Sequence, residues 1–143
     1  MKQLTLFATL LCSASLALGQ SQATPAISSA HVSRTLPAMR FRQGSNVKVM
    51  FQATEQMRGA SGEAKLEGKK GGVTVDAKFQ GLDDATKFGL EYLTYVLWAV
   101  SPQGRAESLG ELVVEKGSAR LKASTDMQTF GMIVTAEPYF AVT

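Results

Sequence analysis

Tyr92-Leu93-Thr94-Tyr95-Val96-Leu97-Trp98-Ala99-Val100, followed at once by the turn Ser101-Pro102-Gln103-Gly104-Arg105, decides the fold. A strand that alternates polar and apolar residues has one wet face. One that stays apolar on both faces lies inside a sheet that a second layer covers. This run keeps apolar or aromatic residues on both alternating faces, so it reads as the central strand of an all-β domain. Leu97 and Trp98 are both expected to pack between the sheets.

The sequence on either side supplies the other strands. Val47, Val49, Phe51 and Ala53 alternate with Lys48, Met50, Gln52 and Thr54, a period of two with one buried face. Ala64-Lys65-Leu66-Glu67 and the set Val73, Val75, Ala77, Phe79 flank Gly68-Lys69-Lys70-Gly71-Gly72, so Glu63 to Gln80 reads as a hairpin whose glycine pair provides the positive φ of its turn. Asp83-Asp84-Ala85-Thr86-Lys87 reads as one helical turn crossing between sheets. Glu107 to Glu115 forms a strand, with a bulge where Gly110 breaks the alternation. Lys116-Gly117-Ser118 is the next hairpin turn, leading into a strand through Ala119, Leu121 and Ala123. Gly131 to Ala136 gives a further strand, and Pro138 to Val142 starts one more. About seven short strands at this spacing define an immunoglobulin-like antiparallel β-sandwich, with a small barrel as the runner-up.

Composition agrees with one globular domain: 143 residues, 45% hydrophobic and 19% charged. Fifteen basic residues against twelve acidic ones are too nearly balanced to imply nucleic-acid or membrane-surface binding. The basic start Met1-Lys2, the uncharged apolar stretch Leu4 to Leu18 and the small residues Ala17 and Gly19 read as a secretory signal peptide over residues 1–19. Serines interrupt the apolar run too early for a membrane anchor. Cleavage removes Cys12, the only cysteine, so the mature chain folds without a disulfide. Residues 20–45, rich in Ser, Thr, Ala and Gln with Pro25 and Pro37, read as a flexible arm, in which Met39 to Ser45 can add a short edge strand. The sandwich proper is then assigned to residues 46–143.

Several motifs carry a resemblance. Glu63 to Gly68 with Lys70-Gly71-Gly72, Ala85-Thr86-Lys87-Phe88-Gly89, Tyr92 to Glu111 and Phe130 to Phe140 together resemble the amino-terminal sandwich of some OmpA-family envelope proteins of acidobacteria. The resemblance runs from about Ala38 onward and implies a cell-envelope location, periplasmic, secreted or associated with the outer membrane. It implies no assigned activity. In the larger members a peptidoglycan-binding domain follows this module, and the sequence to Thr143 contains none, so a stand-alone module and a piece of a longer protein both stay open. A weaker echo, a Leu-Trp strand followed by a Pro-Gly turn, is shared with the external sensor domain of anti-sigma factors.

The chain offers few groups for catalysis. Without Cys12, and with the lone His31 in the arm lacking a His, Cys or Asp neighbour, no nucleophile–base pair can be assembled. The adjacent Asp83 and Asp84 suit a cap and a solvated neighbour better than a calcium or glycosidase site. The expectation is a non-enzyme with no cofactor and no metal. Binding is the better class: Tyr92 and Tyr139 near strand ends, with Gln103 and Arg105 in the tip loop, are the candidate surface for a glycan or a partner chain. A sandwich stopping inside its last strand would also leave an edge open to self-association or to a strand from an envelope partner. Mass spectrometry of the exported chain should find an amino terminus at Gln20, or after Ala23 as the minor alternative; an intact Met1 would refute the leader.

Overall fold

Residues 35–139 are described by the computed structural model; the leader and its cleavage position, His31 and everything from Phe140 lie outside them. Eight strands form: β1 (Met39–Arg40), β2 (Asn46–Phe51), β3 (Ser61–Lys69), β4 (Gly72–Gln80), β5 (Thr94–Val100), β6 (Ala106–Leu112), β7 (Ser118–Thr125) and β8 (Thr129–Glu137). They build two antiparallel sheets of four strands, in the orders β1-β8-β5-β6 and β2-β3-β4-β7. The expected sandwich is therefore present. The fold proper begins earlier than Asn46, because Phe41 is 3% exposed and its ring lies 5.0 Å from that of Phe130.

Pairing across the sheets follows the immunoglobulin pattern, in which strand B neighbours E, and F lies between C and G. Here β4 pairs with β7, β5 pairs with β8, and β3 and β6 extend the two sheets outward. In that scheme β4, β5, β7 and β8 take the places of B, C, E and F. Among the described residues, the place of G is held only by the two residues of β1.

Alternation of side chains decides what each strand buries. β3 and β4 send Ala64, Leu66, Val73, Val75, Ala77 and Phe79 inward, while Lys65, Glu67, Lys69 and Lys78 stay wet. Salt bridges Lys48–Glu63 at 2.6 Å and Arg120–Asp76 at 2.7 Å lie along that wet face. The Arg120 guanidinium, bonded to both carboxylate oxygens of Asp76, holds that carboxyl below its ordinary value. The β3–β4 turn needs only Gly71 at positive φ, +87°, rather than a glycine pair. β5 meets the core through Tyr95, Leu97 and Ala99.

The same alternation corrects the expectation for Trp98. Adjacent residues of a strand point to opposite faces, so Leu97 and Trp98 cannot both lie between the sheets. Leu97 is in the core, whereas Trp98 is buried on the other face of its sheet, where its indole N–H donates to Thr135 Oγ1 at 2.8 Å and the Thr135 hydroxyl donates to Glu137 Oε1 at 2.6 Å. The bulge expected near Gly110 is present as a register shift: Leu97 faces Gly110, but Trp98 faces Ser108. The hairpin turn expected at Lys116-Gly117-Ser118 is present: Glu115 and Ser118 exchange backbone hydrogen bonds at 2.8 and 2.9 Å, with Lys116 and Gly117 both at positive φ. The strands it joins belong to different sheets, since β6 pairs with β5 and β7 with β4.

Leu97, fully buried, should cost about 2–5 kcal/mol when replaced by Ala. Urea unfolding followed by the single tryptophan would measure it, and a loss under about 1 kcal/mol would contradict the packing described.

Candidate functional site

The two long sides of the sandwich differ. On one, β6 and β7 lie beside each other. On the other, β8 and β2 leave an apolar cleft of about 730 Å³ between the sheets. Its walls include Val49 and Phe51 from β2, Phe79 from β4, Tyr95 from β5, and Val134 and Ala136 from β8. Among the described residues that line it, none is charged. Local sequence shapes its floor: the rings of Phe51 and Phe79 sit 4.8 Å apart. Gly62 on β3 permits this, because a Cβ there would stand 2.5 Å from the Phe79 ring.

Tyr95 closes one end of the cleft. Its hydroxyl donates to the Asp83 carbonyl at 2.8 Å, and burial, with the Asp83 and Asp84 charges behind it, raises its pKa, so it stays a protonated donor. Asp83 also pairs with Lys87 one turn along, which fixes the Ala85–Phe88 turn and sets Phe88 edge-on to Tyr95 at 6.4 Å. Asp83 thus props the loop, whereas the expected side-chain cap does not form: Asp84 stands at the N-cap position of the turn without a side-chain hydrogen bond to it.

Among the described residues, the edge of β8 beside this cleft is unpaired beyond β1. β1 reaches only Phe130 and Thr129, and among the described residues no strand pairs with that side of β8 beyond them. Backbone polarity along an antiparallel strand alternates, so one known bond fixes the rest. Phe41 N–H donates to the Gln128 carbonyl at 2.7 Å on the β1 side, and the Glu137 carbonyl accepts from Leu93 N–H at 2.9 Å on the β5 side. The even-numbered residues of β8 therefore direct N–H and C=O to the free edge. Met132, Val134 and Ala136 are also the residues packed against the core, so the open hydrogen-bonding groups and the cleft-facing side chains belong to the same three positions.

Other strand edges carry protective features of the sort that discourage pairing. β2 has Lys48 at its centre, and β6 has Glu107, Glu111 and the bulge. Gly131 to Glu137 has no proline, no lysine and no bulge, and its one charge comes at the end, just before Pro138.

The candidate residues from the sequence fall into two separate places. Tyr92 and Tyr139 lie at the end where β5 begins and β8 stops, with Tyr139 61% exposed and Tyr92 half-buried against the core. Gln103 and Arg105 are exposed in the turn after β5, at its opposite end. The length of β5, seven residues or roughly 20 Å, separates the pairs. They do not form one surface. Arg105 instead lies 3.9 Å from Glu107 and 4.0 Å from Asp126, beside a shallow polar hollow of about 390 Å³. Among the described residues no cluster of three or more His, Cys, Asp or Glu side chains could hold a metal, and no helix is long and apolar enough to cross a membrane. No family model, no curated protein and no solved structure matches the chain.

The alternation along β8 has a direct test. Ala136→Pro removes an N–H that points to the open edge and should leave the unfolding midpoint nearly unchanged. Thr135→Pro removes one that bonds β5 and, measured against Thr135→Ala so that the lost hydroxyl bonds to Trp98 and Glu137 cancel, should destabilise by about 1–3 kcal/mol. Equal effects in urea unfolding would overturn the assignment.

Proposed function

We propose that this protein is a non-catalytic interaction module of the bacterial cell envelope, exported to the periplasm or beyond, and that it works through the open side of its sandwich. The observation that carries this reading is the unpaired edge of β8 standing over an uncharged apolar cleft. Unpaired ladder groups beside exposed apolar surface are the arrangement by which sheets take up strands from other chains. The leader sequence and the resemblance to the amino-terminal sandwich of OmpA-family proteins support the location. A glycan-binding reading has less behind it, because of the two tyrosines only Tyr139 is well exposed.

A photo-crosslinking amino acid placed at Gln52, at the cleft, and at Lys116, in the turn between β6 and β7, tests the reading in the native organism. Adducts from position 52 and not from 116, in the periplasmic or envelope fraction, are expected. A cytosolic chain, or adducts that do not discriminate between the two positions, would sink it.

A further inference from the structure

We infer that the vacancy beside β8 takes a single extended strand of another polypeptide, running antiparallel to β8, uncharged, with apolar side chains opposite Met132, Val134 and Ala136. This deepens the interaction reading above and rests on it.

Position comes first. In an immunoglobulin sandwich strand G pairs with F along its length. Here β8 holds the place of F, and β1 fills the place of G only beside Phe130 and Thr129. Gly131 to Glu137 is left over, bounded by β1 at one end and Pro138 at the other.

The chain's own arm is a poor occupant. Continuing the register of Met39 with Phe130 and Arg40 with Thr129 would set Pro37 opposite Met132, whose open carbonyl needs an N–H that proline lacks. Thr35 would follow opposite Val134, directing a hydroxyl at the apolar cleft. The chain instead steps off the ladder: the Pro37 carbonyl crosses Gly131, where a Cβ would stand 2.9 Å from it.

A second copy adding its own β8 edge also fits badly. The sheet below reaches one strand further out, because β2 contributes Val49, Met50 and Phe51 to the cleft wall under the vacant position. That leaves room for one strand above β2 and none for a second sandwich. A lone segment shares the cleft only with Thr35, Leu36 and Pro37, which line it and pass Gly131 at the β1 end; beyond them its inward side chains would rest on Val49, Phe51 and Phe79.

Charge sets the chemistry of the occupant. A buried charge with no partner is strongly disfavoured, and the described lining offers no partner of either sign. Aliphatic residues at alternate positions bury apolar area and satisfy the ladder together, whereas a carboxylate at any of those positions would be desolvated without compensation.

The test uses the purified processed chain with two blocked peptides, acetyl-Thr-Val-Thr-Val-Thr-Val-Thr-amide and its analogue with Asp in place of every Val. Amide hydrogen exchange is read residue by residue. In the free chain Met132, Val134 and Ala136 should exchange quickly, and Ile133 and Thr135 slowly. The valine peptide should slow the first set at least tenfold in a saturable manner, and the aspartate peptide should not. Ala136→Pro should weaken peptide binding at least tenfold, with the Val134 amide remaining a readout and the unfolding midpoint retained.

No protection by the valine peptide at millimolar concentration, or equal protection by the aspartate peptide, would overturn the inference; adducts at position 52 would still leave the broader interaction role standing. Protection that grows with the concentration of the chain alone would place a second copy at the edge and overturn it too.

Discussion

The ladder between β5 and β8 is the constraint on which the rest of the structure depends. It joins Thr94 through Val100 to Glu137 through Gly131 without a bulge, and so fixes the face on which every residue of β8 lies. Because an extended chain alternates both its side chains and its peptide groups, that one register determines two things together. Met132, Val134 and Ala136 face the core, and their backbone groups face away from β5. A one-residue slip would put Ile133 and Thr135 into the core, break the Trp98 to Thr135 hydrogen bond and turn the open polar groups elsewhere.

Much of this architecture was legible in the residues. Alternating runs are a direct imprint of a half-buried strand, and β2, β3 and β4 match theirs closely. The doubly apolar run at β5 announced a central position, and the break at Gly110 announced the bulge. The limits are equally physical. Alternation says that Leu97 and Trp98 lie on opposite faces, but not which face is inner; size and aromaticity favour the core on average, and Trp98, which lies on the outer face, is an exception to that average. Whether Lys116-Gly117 joins strands of one sheet or of two depends on long-range pairing with β4 and β5, which no local signal encodes.

The candidate site was less legible for a related reason. Exposed aromatic and polar residues draw attention in a sequence, and that criterion selected Tyr92, Tyr139, Gln103 and Arg105, which the fold sends to opposite ends of one strand. A cleft with an open ladder is made of backbone groups and ordinary aliphatic residues, whose significance appears only when a neighbour is missing. Two signals did lie in the sequence. A strand without lysine, proline or bulge, Gly131 to Glu137, is unprotected, and Pro37 marks where β1 must stop.

The pairing of β1 with β8 also bears on time. Met39 and Phe130 stand opposite each other, so this rung closes a loop of about ninety residues, and nearly all of the domain has to be synthesised before it can form. Ladders between distant segments are slow to assemble, on the order of milliseconds to seconds in β-sandwiches. β2, β3 and β4 form a local meander that can pair early, while the sheet holding β1, β8, β5 and β6 must wait for β8. The first sheet can therefore stand formed, its apolar face uncovered, for as long as it takes the chain to reach β8, and the Met39–Phe130 rung is among the last contacts to close.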